Sequence, residues 1–307
     1  MMGRVCDDVR VLVPTLNEAE TISDIVKSFV SAGYRVLVVD GHSTDDTRSL
    51  AKEAGAEVIV QTGRGKGQAV QQMFAAIEDK YLVMIDGDGT YLPEEIDTML
   101  EPMLSGQADH VIGNRFANFS PGSFTKLNLI GNKIINRMFG FIYGGSLKDI
   151  LSGYRAFNKN AYKWIELNKT GFEIETEITV ECVKKDLRIT EVPITYLPRH
   201  RDAATKLSPI RDGVRIGMTI FKLAKLHNPM IYFGMLGMLS ILSGIGVGVY
   251  VVNEWFVGIT HVLLTILATL LIIVGLQLFI FGSIANMIVA LHYRVVREIR
   301  RSIMENG

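Results

Sequence analysis

Two aspartates separated by one glycine, Asp86 and Asp88, are the residues whose types and spacing point most directly to chemistry. They follow the apolar run 81–85, which is typical of a buried strand in a parallel sheet. Because alternate residues of a strand point to the same side, a turn here brings both carboxylates into one small space. Two neighbouring anions are costly unless a cation lies between them, and their oxygens suit a hard divalent ion such as Mg²⁺ or Mn²⁺. Taken alone, the stretch also fits a solvated Gly-Asp-Gly turn after a core strand.

The elements that would position these acids alternate between strand and helix over residues 9–113. Such alternation predicts a parallel sheet covered on both faces, with ligands bound beyond the carboxyl ends of the strands. Asp40 ends the second predicted strand and Pro14 to Glu18 end the first, so we expect both at the same edge. The glycine-rich loop 63–67 lacks the spacing of nucleotide-binding phosphate loops, but it places Lys66 near a helix start, where an anion is favoured.

Charge is distributed unevenly along the chain, although 32 basic and 32 acidic side chains give a net charge of zero. No Asp, Glu, Lys or Arg occurs from 230 to 252 or from 255 to 293. Because a membrane-spanning helix needs about 20 apolar residues, we expect two spans, at about 230–252 and 262–291. Basic residues flank both outer ends, which places the ends and the large N-terminal domain in the cytoplasm. The two cysteines, far apart in sequence, agree with a reducing compartment.

Further motifs surround the acid pair. They are Pro14-Thr15-Leu16-Asn17-Glu18, Asp40-Gly41-His42-Ser43-Thr44-Asp45-Asp46-Thr47, Gly65-Lys66-Gly67, Asp86-Gly87-Asp88, Ile112-Gly113-Asn114-Arg115, Asp149-Ile150-Leu151-Ser152-Gly153-Tyr154-Arg155 and Glu191-Val192-Pro193-Ile194-Thr195-Tyr196. Over about residues 9–207 this set resembles the family 2 glycosyltransferases, and its later motifs resemble the dolichyl-phosphate mannose synthase branch, in particular archaeal polyprenyl-phosphate sugar transferases. The resemblance implies an α/β fold in which a nucleotide-diphospho-sugar transferase (GT-A, Rossmann-like) domain precedes a two-helix transmembrane hairpin.

The resemblance and the hydropathy pattern together divide the chain into four parts. These are a cytoplasmic GT-A domain at 1–207, an amphipathic interfacial helix region at 208–228, a transmembrane hairpin at 229–293 and a basic cytoplasmic tail at 294–307. In the second part, basic residues alternate with apolar ones, a pattern that suits a helix lying in the membrane interface.

The resemblance also implies roles for individual residues. Donor binding is assigned to Pro14, Asn17, Glu18, Asp40, Lys66, Asp86, Gly87, Arg199 and Arg201, and the metal to Asp86 and Asp88. Contact with the acceptor phosphate is assigned to Arg115, Lys126, Lys133 and Ser152. The catalytic set is Asp88, Asp149, Arg115 and Lys206, with Lys206 and either Arg199 or Arg201 closing over the donor diphosphate.

Two departures from the family pattern affect these assignments. Many members carry a second aspartate where Gly41 stands, which leaves the contacts to the nucleotide base open. The branch's acceptor-loop arginine and serine have no clear counterpart around 125–128, so Lys126 and Lys133 are substitutes for them. The acids Glu173, Glu175 and Glu177 have two interpretations, a role in the site or a solvated helix start.

The predicted function is a metal-dependent, inverting transfer of a hexose from a nucleotide-diphosphate sugar to dolichyl or another polyprenyl phosphate. The product would be a lipid-linked sugar for protein N-glycosylation or other surface glycans. An acceptor phosphate with a second pKa of about 6 is already a dianion near pH 7, so a strong general base is dispensable. The expected cofactor is Mg²⁺ or Mn²⁺, and the expected partners are the nucleotide sugar, the lipid phosphate and membrane lipid, without nucleic acid.

Three alternatives are kept. One is a glycosyltransferase with another lipid-linked or polysaccharide acceptor, and another is a processive polysaccharide synthase, whose Gln-x-x-Arg-Trp signal is missing. The third is a non-catalytic membrane protein that binds nucleotide sugars. The donor (UDP-glucose, UDP-N-acetylglucosamine or GDP-mannose), the polyprenol length and a homo-oligomeric state are left open by the sequence.

Overall fold

The computed structural model describes residues 6–171, 173–199 and 209–305. The chain divides into two compact units, Met1–Ile220 and Phe221–Gly307. Two predicted site residues, Arg201 and Lys206, lie outside the described residues.

The first unit is built on a seven-stranded sheet with the strand order β3-β2-β1-β4-β6-β5-β7. The strands are β1 (Val9–Thr15), β2 (Arg35–Asp40), β3 (Glu57–Val60), β4 (Tyr81–Met84), β5 (His110–Phe119), β6 (Arg155–Asn158) and β7 (Ile189–Tyr196). The helices are α1 (Ile22–Ser31), α2 (Thr47–Glu53), α3 (Lys66–Ala76), α4 (Ile96–Leu104), α5 (Lys126–Tyr143), α6 (Lys159–Trp164) and α7 (Ile174–Lys184), and α8 (Pro209–His227) continues into the second unit.

Both faces of the sheet are covered, as the sequence predicts. Alternate residues of β1 enter two separate apolar cores: Val9, Val11 and Val13 pack in one and Leu12 in the other. This division follows from the two-residue period of a strand, which directs neighbouring side chains to opposite faces. All of these residues are fully buried.

The sheet is mixed, which corrects the prediction of a parallel one. Strand β6 runs antiparallel to both neighbours, β4 and β5, and Arg155 at its start lies opposite Met84 and Ile112. The reason is that the chain returns to the carboxyl edge of β4 and β5 after α5 and enters β6 from that edge. Residues 149–154, which precede β6, therefore lie beside the residues that follow β4.

The second unit contains two long helices, α9 (Pro229–Phe256) and α10 (Val262–Glu305), that pack against each other. Small residues line the contact: Gly237 of α9 meets Gly275 of α10, and Gly244 meets Ala268. Small residues allow two helix backbones to approach closely. Such close packing holds helices together in a membrane, where water supplies no hydrophobic driving force.

The segments Pro229–Phe256 and Val262–His292 are long and apolar enough to cross a membrane, with mean hydropathy 2.0 and 2.7. Only 11% of each segment's most apolar window is buried inside the protein, whereas a soluble core helix would be mostly buried. These two apolar C-terminal helices indicate a membrane anchor.

Candidate active site

The ends of β1 and β2 form one wall of the site. Gly41 donates its backbone N–H to the carbonyl of Thr15 over 2.7 Å, which holds the two strand ends together. Asp40 is fully buried, and its Oδ2 accepts a hydrogen bond from the Ser43 backbone and lies 3.8 Å from Nε of Arg48. The other oxygen, Oδ1, has no hydrogen-bond partner among the described residues. Because such an acceptor is costly when unpaired, a donor group from a ligand would satisfy it.

The segment after β1 is fixed by the loop after β2. Asn17 has a left-handed backbone (φ 51°), and its side-chain Oδ1 accepts the backbone N–H of Thr44 over 2.8 Å. The backbone N–H of Glu18 donates to Oγ1 of Thr47 over 2.8 Å. The side chain of Asn17, a predicted donor-binding residue, therefore holds the loop after β2 in place. The carboxylate of Glu18 is directed toward Arg199.

The predicted acid pair follows β4, and each acid holds a cation. Nζ of Lys66, at the start of α3, lies 2.6 Å from Oδ1 of Asp86. Nη2 of Arg199 lies 2.9 Å from Oδ2 of Asp88. The other oxygen of Asp88 accepts hydrogen bonds from the backbone and hydroxyl of Thr90. Each of the two predicted metal-binding carboxylates thus lies against a side-chain cation, and the binding of a divalent ion between them stays a prediction.

Each of the two cations also contacts a second carboxylate. Nζ of Lys66 lies 2.5 Å from Oε1 of Glu175, and Nη2 of Arg199 lies 3.4 Å from Oε1 of Glu18. Burial disfavours the charged ammonium of Lys66, but Asp86 and Glu175 outweigh it and raise the pKa of Lys66 above its usual value. Lys66 is therefore charged at every physiological pH.

Close backbone packing explains two glycines of the predicted loop. A Cβ at Gly65 or Gly67 would collide with the carbonyl of Thr170 or Lys169, and Gly67 donates its N–H to Thr170 over 3.0 Å. Gly65 also adopts φ 99°, a conformation that favours glycine. The glycines thus allow the start of α3 to pack closely on residues 169–171, and this packing places Lys66 beside Asp86.

A buried ion pair lies beside the acid pair. Arg115 in β5 donates through Nε (2.8 Å) and Nη2 (2.7 Å) to the two carboxylate oxygens of Asp149, and its backbone N–H donates to the same group. Burial opposes the charge of Arg115, but Asp149 raises the pKa of the guanidinium well above its usual value. The guanidinium also lies over three aromatic rings, those of Phe116, Phe124 and Tyr196, at 5.3–6.0 Å. Asp149 engages two of its five side-chain N–H donors, and the other three have no acceptor among the described residues.

The segment before β6 joins the two groups of charges. Gly153 lies directly on Asp86, since a Cβ there would collide with the carboxylate. Ser152 is fully buried, and its Oγ has no hydrogen-bond partner among the described residues. The buried guanidinium of Arg155 holds this segment by donating to the carbonyls of Ser152 (2.8 Å) and Ile150 (2.6 Å).

Several predicted residues lie apart from this centre or elsewhere than expected. Lys126 and Lys133 are exposed on α5 and form no ion pair with another described residue. Glu173, Glu175 and Glu177 are 3–5% exposed, so their interpretation as a solvated helix start is wrong. Asp149 reaches the site from the segment ahead of β6, because β6 runs antiparallel to β4.

Sequence reasoning missed three contributors. It gave no role to Arg155, to Tyr91, whose hydroxyl accepts the Gly153 backbone N–H over 2.9 Å, or to the pairing of Glu175 with Lys66. The available signal for Glu175 is its position directly after Ile174 in the first turn of a helix.

The residues present fit a divalent cation. Asp86 and Asp88 offer carboxylate oxygens, the ligand type that Mg²⁺ and Mn²⁺ prefer, and both already attract a positive group. Within the described part of the chain, no cluster of three or more His, Cys, Asp or Glu side chains forms a metal site.

The mixed sheet with an acid pair at the carboxyl edge of β4 defines a GT-A glycosyltransferase domain. The chain belongs to glycosyl transferase family 2, whose family model matches residues 10–165. It is 46% identical over 299 residues to glycosyltransferase AglJ of Haloferax volcanii, covering 95% of this chain and 97% of the relative. It is 32% identical over 220 residues to a dolichyl-phosphate hexose transferase of the same organism, covering 70% of this chain and 93% of the relative.

A solved structure has the same fold. Glucosyl-3-phosphoglycerate synthase from Mycobacterium tuberculosis, in complex with Mn²⁺ and uridine-diphosphate-glucose, superimposes with a TM-score of 0.59 at 20% sequence identity. The match covers 72% of this chain and 83% of that structure. At this identity the likeness establishes the fold alone.

Proposed function

We propose that this protein transfers a hexose, with inversion, from a nucleotide-diphosphate sugar to dolichyl or another polyprenyl phosphate at the cytoplasmic face of a membrane. The observation that carries the proposal is the acid pair with two cations at the edge of the sheet. The similarity to two relatives, glycosyltransferase AglJ and a dolichyl-phosphate hexose transferase, supports the activity and the acceptor.

The donor would bind at the edge formed by β1, β2 and β4. Asp40 supplies a buried acceptor to the nucleoside, and Lys66 and Arg199 supply positive charge to the diphosphate. A divalent ion held by Asp86 and Asp88 would neutralise the negative charge that develops on the departing diphosphate. The Mn²⁺ and uridine-diphosphate-glucose complex of the mycobacterial enzyme supports this arrangement.

The acceptor phosphate would approach from the side of Arg115. Its guanidinium is held by Asp149, so the three remaining N–H donors are presented in a fixed orientation. A phosphate dianion needs no deprotonation, and these donors therefore orient the nucleophile instead of activating it. Ser152, with its unpaired hydroxyl, lies in the segment that joins Arg115 to the acid pair.

The surface of α5 supports a lipid acceptor. This helix exposes large apolar side chains at one-turn and two-turn intervals, at Leu127 (51%), Ile130 (58%), Ile134 (60%) and Phe141 (72%). Lys126 and Lys133 lie next to them in sequence and are exposed as well. An apolar stripe with basic neighbours is suited to the membrane interface, where the phosphate of a polyprenyl lipid is found.

The domain boundaries and the orientation complete the proposal. The predicted domain 1–207, the interfacial region 208–228, the hairpin 229–293 and the tail 294–307 would place the catalytic unit and both hairpin ends in the cytoplasm. Protease treatment of sealed, right-side-out vesicles tests this orientation. Cleavage of the N-terminal domain before the vesicles are opened would contradict it.

Transfer can be measured directly. Membranes containing the protein are incubated with dolichyl phosphate and a panel of labelled UDP-glucose, UDP-N-acetylglucosamine and GDP-mannose, with Mn²⁺ or with chelator. We expect one donor to give a labelled lipid phosphate sugar in Mn²⁺ only. Absence of labelled lipid with every donor, together with retained nucleotide-sugar binding, would favour a non-catalytic binding protein.

A further inference from the structure

Residues 149–153, here called the linking segment, contact both groups of charges in the candidate active site. At one end, Asp149 accepts two hydrogen bonds from the guanidinium of Arg115. At the other end, Gly153 lies against Asp86, since a Cβ at this position would collide with the carboxylate. The position of the linking segment therefore sets the distance between Arg115 and Asp86.

One hydrogen bond ties the linking segment to the residues that follow β4. The hydroxyl of Tyr91 accepts the backbone N–H of Gly153 over 2.9 Å. Within the part of the chain that the structure describes, no other hydrogen bond joins residues 149–153 to residues 86–91. Asp86 thus limits how closely Gly153 can approach, and Tyr91 prevents it from moving away.

Further hydrogen bonds attach the linking segment to β7 and β6. Oε1 of Glu191, in β7, accepts the backbone N–H of Asp149 over 2.8 Å. The guanidinium of Arg155, at the start of β6, donates to the carbonyls of Ile150 (2.6 Å) and Ser152 (2.8 Å). These contacts fix the shape of the segment, but none of them reaches the residues after β4. The contact with Tyr91 is therefore the hydrogen bond that holds the segment close to the acid pair.

Tyr91 is itself held in one position. It is 3% exposed, and its ring packs against those of Tyr154 and Tyr196 with centroid distances of 5.7 and 5.2 Å. The carbonyl of the preceding residue, Thr90, accepts the backbone N–H of Leu197 over 2.8 Å. Because a closely packed ring cannot turn without displacing its neighbours, the hydroxyl has a fixed place from which to hold Gly153.

Transfer between two bound groups depends strongly on their alignment. Reacting atoms must lie about 3–3.5 Å apart, and a displacement of about 1 Å can cost about 10²-fold in rate. Without the hydroxyl of Tyr91, the buried N–H of Gly153 would lack an acceptor, and the linking segment would be free to shift away from Asp86. The orientation of the Arg115 guanidinium would change as well, because its partner Asp149 belongs to the same segment.

We propose that Tyr91 is a positioning residue, whose hydroxyl holds the linking segment against Asp86 and so aligns the acceptor phosphate at Arg115 with the sugar donor. The inference rests on the proposed function and adds to it a residue that acts on transfer without taking part in nucleotide binding. Loss of the hydroxyl lowers the rate of transfer and leaves the affinity for the nucleotide unchanged. A residue with a purely structural role would affect both.

The test compares Tyr91→Phe with the unaltered full chain in detergent, because this substitution keeps the ring and removes the hydroxyl alone. Transfer to dolichyl phosphate is measured with whichever labelled donor of the panel gives product, to obtain kcat/KM for the acceptor. The dissociation constant of the corresponding nucleoside diphosphate is measured by calorimetry with Mn²⁺. We expect kcat/KM for dolichyl phosphate to fall at least about tenfold. The dissociation constant should stay within about twofold, because the nucleotide and the linking segment have no shared partner in Tyr91.

Two matched variants separate positioning from loss of stability. Tyr154→Phe removes a neighbouring buried hydroxyl that has no hydrogen-bond partner among the described residues. Tyr162→Phe removes a buried hydroxyl that donates to the carbonyl of Asp79 over 2.6 Å, at the opposite end of β4 from the acid pair. Both should leave kcat/KM within about twofold, since neither hydroxyl forms a hydrogen bond with the linking segment in the described structure.

Three results would overturn the inference: an unchanged kcat/KM in Tyr91→Phe, an equal loss in either matched variant, or a parallel loss of nucleotide affinity in Tyr91→Phe. Absence of transfer by the unaltered protein with every donor is a different result. It would overturn the proposed function, and the inference with it.

Discussion

Two groups of acidic and basic side chains meet at one edge of the sheet, and they balance charge in different ways. Around Asp86 and Asp88, each of the two cations, Lys66 and Arg199, contacts two acids. Arg115, by contrast, donates two parallel hydrogen bonds from its guanidinium to the carboxylate of Asp149. Aromatic rings, including that of Tyr196, lie against this guanidinium. The first arrangement gives each cation a second acid, whereas the second joins one cation to one buried acid.

Burial explains why the second pair must remain intact. Asp149 is fully buried and the side chain of Arg115 is 10% exposed, so neither charge has water as an alternative partner. Removal of one member of such a pair leaves the other charge unpaired in a medium of low dielectric constant. Around Asp86 and Asp88, loss of one of these acids leaves its cation in contact with a second acid. The predictions below test this difference, from the largest effect to the smallest.

The largest effect is expected for Asp149→Asn. It leaves the buried guanidinium of Arg115 without a counter-charge and should lower the free energy of unfolding by about 3–5 kcal/mol. Urea unfolding of the full chain in detergent, followed by circular dichroism, measures the change. Asp88→Asn is the matched variant, and it should cost about 1 kcal/mol or less, because Arg199 keeps Glu18. Equal losses in the two variants would contradict the distinction between the pairs.

Asp88→Asn should instead act on turnover. Removal of an electrostatic contributor to a developing oxyanion typically costs about 10²- to 10³-fold in rate. The radiolabelled lipid assay should therefore show a loss of at least about 10²-fold, which excess Mn²⁺ does not fully restore. Asp24→Asn, on the exposed side of α1, is the matched change of charge. A rate within twofold of the unaltered protein for Asp88→Asn would exclude the proposed role.

A smaller effect is expected for Glu191→Ala. Oε1 of Glu191 accepts the backbone N–H groups of Lys148 (2.7 Å) and Asp149 (2.8 Å), and so fixes the position of Asp149. Loss of this acceptor leaves two backbone donors unsatisfied and should cost about 1–2 kcal/mol. Combined with Asp149→Asn, the losses should be less than additive because the two residues act through one network. Strict additivity of the two urea results would show that Glu191 acts independently of Asp149.

The smallest effect concerns pH and an exposed pair of similar geometry. Arg188 donates from Nε and Nη2 to Asp109, and the arginine side chain is 57% exposed. Partial burial opposes ionisation of Asp109, but hydrogen bonds from Arg188 and Asn158 outweigh it and lower the pKa of Asp109 to about 2. The pKa is thus lower in the folded chain than in the unfolded one, where it is about 4.

This carboxylate therefore stabilises the fold above pH 4 or so, and the contribution is lost as the pH falls from about 4 to about 2. Because the pair is exposed to solvent, we expect about 1 kcal/mol at most. Urea midpoints measured from pH 5 to pH 2 should fall less steeply for Asp109→Asn than for the unaltered chain. Parallel curves would show that the exposed pair contributes nothing.

The sequence predicts the acid pair and its edge of the sheet because these depend on local pattern. The apolar run before Asp86 and Asp88 predicts a strand followed by a turn, and the apolar run before Asp40 predicts the same. The two-sided covering of the sheet follows from strand–helix alternation and is confirmed. The two long apolar helices are confirmed for the same reason, since hydropathy is a property of neighbouring residues.

The remaining features depend on partners that are distant in sequence. The pattern Arg155–Asn158 has the composition of a strand but contains no sign of its direction, so the antiparallel β6 could not be foreseen. Arg115 and Asp149 are 34 residues apart, and their pairing arises only when β5 and the segment before β6 are brought together. Burial of Glu175 likewise depends on Lys66, which α3 brings from a remote part of the chain.

The reversed course of β6 has a consequence for how such a protein can change over time. Side chains that face the proposed sugar donor come chiefly from the first 90 or so residues, whereas Arg115, Asp149 and Ser152 come from a later, separate block. The two blocks touch where Gly153 rests on Asp86. Under the proposed function, substitutions in the later block would alter contacts to the acceptor while the residues that face the nucleotide stay the same.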